Sequence, residues 1–251
     1  MTSSPKTIFF LGATGGCAFA TLTQALAAGH TCIALCRDPS KLSAKLSPEQ
    51  QAQIQLRQGN GHDAEAVRSC LVHPSDPTRL VDHIVSGIGN PVTWDGVLHP
   101  DLDVCRKAMA VLLEAIVSLR QEGMTGRPRI TAISSTGISD VARDLPIAMI
   151  PLYKVVLAPA HRDKRNMEAA LFASDEDWTI VRASALTSGE GGKRAIRAGL
   201  EDPVARKVES TAIGYTISRE DVGRWIFDNV VEGEKKEDGA KWVKRVATIT
   251  Y

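Results

Sequence analysis

The chain reads Thr7-Ile8-Phe9-Phe10-Leu11-Gly12-Ala13-Thr14-Gly15-Gly16-Cys17-Ala18 near its amino terminus. A short apolar run breaks into glycines and continues into an alanine-rich segment with helical spacing that ends at Gly29. This order predicts a strand, a tight turn and a helix. The backbone N–H groups of the turn and the positive end of the helix then face one point, which suits an anionic pyrophosphate. The stretch therefore predicts a dinucleotide site.

The glycine spacing matches a dinucleotide fingerprint except at its third position, where Ala18 replaces glycine. Gly12 permits the sharp turn and Gly15 permits close approach of a phosphate, while Thr14 offers a hydroxyl donor. An ordinary structural turn is the alternative that this spacing leaves open. The predicted cofactor-contacting residues of the turn are Gly12, Thr14, Gly15, Gly16 and Cys17.

Size and composition favour one large α/β domain over residues 1–251. The chain has 251 residues, and 43% of them are hydrophobic, which is enough to bury a full core. Its 30 basic and 29 acidic side chains give a net charge of +1, so no global field favours nucleic acid or an anionic membrane. Recognition is therefore expected to be local, with a small-molecule substrate.

The five cysteines form neither a CxxC pair nor a cluster typical of metal sites. Cys32 and Cys36 lie on one predicted strand, roughly 13 Å apart and too far for a disulfide. Reduced, buried thiols and a cytoplasmic location are expected. The apolar run at the start is too short for a signal sequence. The longest later apolar stretch, residues 147–160, is too short to span a bilayer.

A second cofactor signal follows the next predicted strand, Thr31 to Cys36. Arg37 stands about twenty residues beyond the glycines, where an NADP site has an arginine and an NAD site has an acidic residue. Lys41 adds a second cation, and a guanidinium suits a phosphate. NADP is therefore the predicted cofactor. Asp38 leaves open the alternative that a carboxylate binds the ribose hydroxyls.

The Gly-Ala-Thr-Gly-Gly of residues 12–16 and the Arg-Asp-Pro-Ser-Lys-Leu of residues 37–42 resemble the atypical short-chain dehydrogenase/reductases, in the NmrA-like or NAD(P)-binding-domain group. The resemblance covers nearly the whole chain and includes the block from Lys164 to Arg182. It agrees with a Rossmann-type, doubly wound parallel sheet that has helices on both faces and a small C-terminal extension on the substrate side.

The predicted strand ends supply further cofactor contacts. Asn60 and Gly61 follow the third strand, and Asn60 stands where the resembling family has an aspartate beside the adenine. Ser86 and Gly87 end a fourth strand predicted over Leu80 to Ser86. A helix is predicted over Pro100 to Gln121 and a last strand over Lys241 to Ile249.

Small hydroxyl residues end the fifth predicted strand, residues 129–133. Ser134 is predicted to contact the cofactor, and Ser135 to hold the substrate oxygen; a Ser/Thr turn is the alternative. Beyond Ala183, Ser184 begins a loop predicted to lie beside the nicotinamide. A glycine-rich loop over residues 189–193 is a candidate lid.

The Tyr-x-x-x-Lys pair of ordinary short-chain dehydrogenases is absent, because Leu157 stands four residues after Tyr153. Tyr153 and His161 are the candidate proton donors. The resemblance implies that Lys164 contacts the cofactor, and Lys164 joins Ser135, Tyr153 and His161 as a candidate catalytic residue. An ion pair with Glu168 is the structural alternative.

These features predict an NADPH-dependent oxidoreductase that reduces a small, fairly apolar carbonyl or enone compound by hydride transfer. A regulator that binds NADP without chemistry is one alternative, and an isomerase or dehydratase on the same fold is another. A homodimer is a further possibility, whereas no metal, nucleic acid or membrane partner is expected.

Overall fold

The computed structural model describes residues 4–89, 102–233 and 240–251. The strands of these ranges are β1 (Thr7–Leu11), β2 (Thr31–Cys36), β3 (Ile54–Gln58), β4 (Val72–His73), β5 (Asp76–Leu80), β6 (His83–Ser86), β7 (Arg129–Ser135), β8 (Asp177–Ala183), β9 (Ala185–Thr187), β10 (Arg197–Asp202), β11 (Lys207–Ser210), β12 (Thr216–Ser218) and β13 (Arg245–Thr250). The α-helices are α1 (Gly16–Ala27), α2 (Ser40–Ser43), α3 (Pro48–Ala52), α4 (Ala64–Leu71), α5 (Val104–Gln121), α6 (Ile150–Val155), α7 (Ala158–Phe172) and α8 (Arg219–Ile226).

Nine strands form one sheet in the order β11-β10-β13-β8-β7-β6-β1-β2-β3. The run from β13 to β3 is parallel throughout, whereas β10 pairs antiparallel with both β13 and β11. The chain order reverses between β1 and β6, the point where ligands of open α/β sheets bind beyond the carboxyl ends of the strands. The predicted Rossmann-type α/β fold is confirmed.

Strand β1 shows why helices cover both faces of the sheet. Successive side chains of a strand point to opposite faces. Ile8 and Phe10 belong to the apolar cluster that includes α1 and α8, and Phe9 and Leu11 to the one that includes α4, α5 and α7. All four side chains are at most 1% exposed. The strand is therefore a central one, buried on both sides as its continuous apolar run indicates.

The chain between β8 and β13 forms an extension beside the parallel strands. Strands β9 and β12 make a separate two-stranded parallel sheet, and β10 and β11 form a hairpin at the edge of the main sheet. Asp221 in α8 ties the extension together, because its carboxylate accepts hydrogen bonds from Gly192 N and from the hydroxyl of Tyr251. The predicted lid loop is thus held at Gly192.

Several element boundaries differ from the sequence prediction. The fourth parallel strand begins at His83 rather than at Leu80, which ends the short antiparallel hairpin formed by β4 and β5. Val81 and Asp82 make the turn between them, donating to Leu71 O and Thr7 O. The last strand begins at Arg245 because residues 240–242 form a 3₁₀ turn.

Helix α5 begins at Val104, and Pro100 and Asp101 of the predicted helix lie outside the described residues. Its first turn is capped by α7, where the Asp163 carboxylate accepts hydrogen bonds from Cys105 N and Arg106 N, each 2.9 Å long. A remote carboxylate therefore satisfies N–H groups that have no acceptor within the helix. Sequence periodicity does not reveal such a cap.

The five cysteines are free and buried, as predicted. Within the described ranges, no helix combines the length and apolar character needed to cross a membrane. The same ranges contain no group of three or more His, Cys, Asp or Glu residues placed to hold a metal ion.

Candidate active site

The glycine turn between β1 and α1 has the backbone that its sequence predicts. Gly12 has a φ of +74°, and a Cβ added there would lie 2.9 Å from Gly87 C and Ile88 N. Gly15 is extended and precedes the first turn of α1. The first N–H groups of a helix lack acceptors within it, so this end of α1 can bind an anion. The turn fits the diphosphate of a dinucleotide.

Gly87 is required because the end of β6 packs closely against α1. A Cβ at Gly87 would lie 2.6 Å from the Ala18 Cβ, so the two small residues let α1 approach the end of β6. Ser86 and Cys17 are buried, and burial raises the pKa of the Cys17 thiol to about 12. Cys17 can therefore offer its backbone N–H to a ligand but not a reactive thiolate.

Lys45 lies over the glycine turn and was not predicted as a site residue. Its Nζ donates a 2.6 Å hydrogen bond to Thr14 O and lies 5.6 Å from the centre of the Phe19 ring. This ammonium group is exposed, so it supplies positive charge beside the anion-binding end of α1. In the sequence, Lys45 continues a four-residue repeat of cations that begins with Arg37 and Lys41, and this repeat could have identified it.

Among the described residues, Lys41 forms an ion pair, whereas the Arg37 side chain does not. The Lys41 Nζ lies 3.7 Å from the Asp38 carboxylate, and that carboxylate also accepts hydrogen bonds from Ser40 N and Oγ. These bonds lower the pKa of Asp38, led by the Ser40 hydroxyl. Arg37 has no hydrogen bond or ion pair with any described residue and is exposed. Arg37 is the cation left to meet an added phosphate.

Asn60 and Gly61 form a turn after β3. The Asn60 Oδ1 accepts a hydrogen bond from His62 N, and Asn60 O accepts one from Asp63 N. A Cβ at Gly61 would lie 2.9 Å from Ile88 Cδ1, so the turn lies directly against the segment after β6. The adenine contact implied for Asn60 remains a prediction.

Ser135, His161 and Tyr153, three of the predicted catalytic residues, lie together at the carboxyl end of β7. The Ser135 Oγ and His161 Nε2 are 3.3 Å apart, and the Ser135 hydroxyl lies 3.1 Å from Thr136 O. The Tyr153 and His161 rings meet edge to face at 5.2 Å between their centres. Tyr153 and His161 are 6% and 7% exposed, which places both side chains inside the protein.

A cavity of about 340 Å³ opens beside these rings. Tyr153, His161 and Gly137 line it together with Asp144, which the sequence analysis missed. The Asp144 Oδ1 accepts a 2.8 Å hydrogen bond from Gly137 N, while the buried Oδ2 has no partner among the described residues. The cavity therefore contains an uncommitted carboxyl oxygen beside the two candidate proton donors.

Burial determines which protonation states these groups adopt. It lowers the pKa of His161 to about 4, with a further decrease from the Arg165 charge and an opposing effect of Glu168. It raises the pKa of Tyr153 above its ordinary value and also raises that of Asp144. At neutral pH Tyr153 is thus a neutral phenol that can give up a proton, whereas His161 is a neutral imidazole.

Lys164, the fourth predicted catalytic residue, connects two strand ends. Its Nζ donates to Ile88 O at 2.8 Å and to Ile133 O at 2.6 Å. The alternative ion pair with Glu168 is wrong, because Glu168 pairs with Arg182 at 2.7 Å. An ammonium group has three N–H donors, so Lys164 keeps one for a further acceptor.

Glu168, Arg182 and Glu201 form a buried ionic network below the cavity. The Arg182 guanidinium contacts Glu168 at 2.7 Å and Glu201 at 3.0 Å, and each of these side chains is at most 7% exposed. Ser134 donates a 2.6 Å hydrogen bond to Glu168. The hydroxyl of Ser134, predicted to contact the cofactor, therefore already has a partner in the protein.

The segment after Ser184 does not line this cavity, which residues 137–150 enclose together with α6 and α7, and the position of that segment beside the nicotinamide stays a prediction. Ser184 is buried, and its Oγ forms a 2.9 Å hydrogen bond with Thr250 Oγ1. The segment from Gly137 to Ile150 has few periodic apolar residues, which is why its role was not visible in the sequence.

The family model described as NAD(P)H-binding matches residues 12–232, from the glycine turn to a point shortly after α8. The chain belongs to this NAD(P)H-binding family. The predicted likeness to atypical short-chain dehydrogenase/reductases is confirmed, and nicotinamide nucleotide binding follows at the level of NAD(P)H.

Two curated fungal relatives match over essentially their whole length. "Reductase pytE" of Aspergillus terreus is 38% identical over 273 residues, covering 100% of both chains. "Oxidase pynE" of Aspergillus niger is 32% identical and covers 98% of this chain and 99% of its own. The two names describe opposite directions of electron transfer.

Solved structures support the fold. A short-chain dehydrogenase/reductase from Veillonella parvula in complex with NADP has a TM-score of 0.70 at 16% identity, covering 99% of this chain and 95% of its own. The anaerobillin reductase ChuY from Escherichia coli O157:H7 has a TM-score of 0.65 at 19% identity, covering 97% and 96%.

Replacing Gly12 by alanine should weaken NADPH binding by about tenfold or more, because the left-handed backbone and the clash with residues 87–88 both displace the turn. Isothermal titration calorimetry with NADPH measures the change. Gly29→Ala is the matched control: Gly29 has a φ of +81° but no atom within 4 Å of an added Cβ. That variant should lose stability while keeping NADPH affinity, and an equal loss of affinity in both would contradict the prediction.

Proposed function

We propose that the protein is an NADPH-dependent oxidoreductase that reduces a small, fairly apolar carbonyl or enone compound. The proposal rests above all on Tyr153, a buried, protonated phenol that lines a cavity at the same sheet edge as the glycine turn. Reduction by hydride transfer needs a proton source, and a phenol in this position can supply one.

The residues around the glycine turn suit NAD(P)H, as described above. When bound, the nicotinamide supplies a hydride, and the remaining chemistry falls to the protein. The Gly12 turn and the start of α1 would hold the diphosphate, and the free N–H of Lys164 would bind a ribose hydroxyl. Lys164 also fixes the carbonyl groups of Ile88 and Ile133, so it aligns the two strand ends beside the cavity.

Tyr153 is assigned as the acid, and His161 as a neutral partner. His161 has lost its proton at neutral pH, so it cannot act as an imidazolium acid there. Its 3.3 Å contact with the Ser135 Oγ orients that hydroxyl. The Ser135 hydroxyl donates to Thr136 O in the structure, and it would rotate to donate instead to the substrate oxygen on which negative charge develops. Asp144 lines the same cavity, and burial raises the pKa of its carboxyl above the ordinary value.

A preference for NADPH over NADH is supported by Arg37. Arg37→Ala should raise the KM for NADPH by about 10- to 100-fold, the usual effect of losing a hydrogen-bonded charge. The KM for NADH should change less than about threefold, since NADH has no 2′-phosphate. Steady-state kinetics with both nucleotides make the comparison. Arg127→Ala, which removes an exposed arginine near the amino end of β7, is the charge-matched control; equal effects of Arg37→Ala on both nucleotides would contradict the assignment.

The activity itself is tested by incubating purified protein with NADPH and a panel of quinones, enones and aldehydes, and following the nicotinamide absorbance. Consumption of NADPH with a reduced product supports the proposal. Tight NADPH binding without turnover across the panel would instead support a cofactor-binding regulator. A product at an unchanged oxidation level, formed equally without NADPH, would support an isomerase or dehydratase.

A further inference from the structure

A second, larger cavity lies next to the first and is rich in arginine. Its volume is about 630 Å³, and Arg143, Arg194 and Arg197 line it together with Tyr215 and Tyr251. Among the described residues that line it, none is an aspartate or glutamate. Since the chain as a whole carries a formal charge of only +1, these three guanidinium groups are a local concentration of positive charge. We call this cavity the basic pocket.

Within the described part of the chain, no Asp or Glu side chain forms an ion pair with the arginines of the basic pocket. Arg143 donates to Leu145 O at 2.8 Å, and the Arg194 guanidinium lies 5.2 Å from the centre of the Tyr251 ring. Arg197 donates to Ile213 O at 3.0 Å and to Tyr251 O. Arg197 is thus committed to backbone oxygens, while Arg143 and Arg194 keep most of their five N–H donors.

The basic pocket adjoins the candidate active site along one segment of chain. Arg143 lines both cavities; Leu145 and Ile150 line the smaller one, whereas residues 146–148 line the basic pocket. A molecule with its reactive group beside Tyr153 could extend along this segment toward the arginines. Apolar surface accompanies the charge, because Ile147 is 69% exposed and Tyr215 is 58% exposed.

We propose that the basic pocket binds a carboxylate of the substrate, which is therefore an organic acid with an apolar or aromatic body. This inference rests on the proposed function, since it assigns the substrate of the same site. Arg143 and Arg194 would hold the carboxylate through charge-assisted hydrogen bonds, and Arg197 adds to the positive field. Ile147 and Tyr215 would cover the apolar body.

Binding is tested apart from chemistry with two probes that cannot be reduced at a carbonyl carbon by this route, 2-naphthoate and 2-naphthamide. Calorimetry on the full chain saturated with NADP⁺ should give a Kd about tenfold or more lower for the carboxylate. This preference should weaken as salt concentration rises. Equal affinity for the two probes, or no binding of either, would overturn the proposal.

Substitutions in the basic pocket test whether its arginines cause the preference for the carboxylate probe. The double variant Arg143→Gln/Arg194→Gln should bring the two Kd values within about threefold of each other, by loss of the charged donors. The control Arg127→Gln removes one positive charge near the amino end of β7, away from the basic pocket. It should keep the preference for 2-naphthoate over 2-naphthamide. A preference unchanged in the double variant would place the anion elsewhere and refute the assignment.

A turnover experiment separates this inference from the proposed function. The kcat/KM for 6-formyl-2-naphthoate should exceed that for its methyl ester, and the double variant should abolish the difference. If 2-naphthoate binds as expected but neither aldehyde consumes NADPH, the proposed function fails and the anion site stands. If both aldehydes are reduced equally well and 2-naphthoate shows no preference, the reductase stands and the acidic substrate is ruled out.

Discussion

Tyr153→Phe should lower the kcat of NADPH-dependent carbonyl reduction by about 10²- to 10⁴-fold, the usual contribution of a general acid. The variant removes the phenolic proton and keeps the ring, so the edge-to-face contact with His161 at 5.2 Å persists. NADPH affinity should not change, because no part of the Tyr153 side chain belongs to the glycine turn. Single-turnover kinetics and NADPH calorimetry measure the two quantities separately. Retention of more than about a tenth of the wild-type kcat would remove Tyr153 from the acid role.

His161→Gln distinguishes the acid from its neighbour. Because His161 is neutral at pH 7, its loss should cost only the orienting contact with Ser135, about tenfold in kcat. A larger loss than in Tyr153→Phe would make His161, or a water that it binds, the proton source. The two variants together therefore identify the donor.

The pH dependence of kcat should agree with Tyr153 as the acid and His161 as a neutral partner. With the His161 pKa near 4 and that of Tyr153 raised by burial, neither group changes protonation between about pH 5 and 9, so neither should make kcat depend on pH in that range. The folded pKa of His161 lies below the unfolded value of 6.5, so the unfolded chain binds more protons. His161 therefore lowers stability as the pH falls from about 6.5 to about 4, and acid assays need a stability control.

The sequence was most informative where short-range chemistry determines the structure. The turn around Gly12 was predictable because a left-handed residue between a buried strand and a helix requires glycine. The parallel pairing of the strands was predictable, because alternating strands and helices favour a parallel sheet. Boundaries set by remote groups were missed, as at Val104, where α5 begins under a cap from Asp163.

The candidate site was only partly predictable for the same reason. Ser135, Tyr153 and His161 were identified by residue type, yet their mutual contacts depend on how α6 and α7 pack beside β7. Asp144 was missed because an aspartate in an irregular segment has no periodic signal, and only burial makes it unusual. The alternative ion pair between Glu168 and Lys164 was wrong because helical spacing considers neighbours within α7, whereas the partner of Glu168, Arg182, lies on β8.

Arg182→Met should destabilise the protein by about 3–5 kcal/mol, the cost of leaving buried charges without their partner. Methionine fills a similar length but leaves Glu168 and Glu201 facing each other, each at most 7% exposed. For a chain of this size the midpoint of thermal unfolding should fall by about 6–20 °C. Differential scanning calorimetry at pH 8 measures the shift. Arg206→Met, which breaks an exposed pair with Asp140, should cost at most about 1 kcal/mol.

The pH dependence of this loss tests its electrostatic origin. Without the guanidinium, Glu168 and Glu201 are two buried negative charges with no counter-charge, and adding a proton to one of them removes their repulsion in the folded variant. Its stability should therefore recover as the pH falls from 8 toward 5, and the gap to wild type should narrow. Glu201→Gln on the Arg182→Met background should narrow the gap at pH 8 as well, because it removes one of the two opposed charges. A gap that is independent of pH would mean that Arg182 stabilises the fold by packing between β8 and α7 rather than by neutralising these carboxylates.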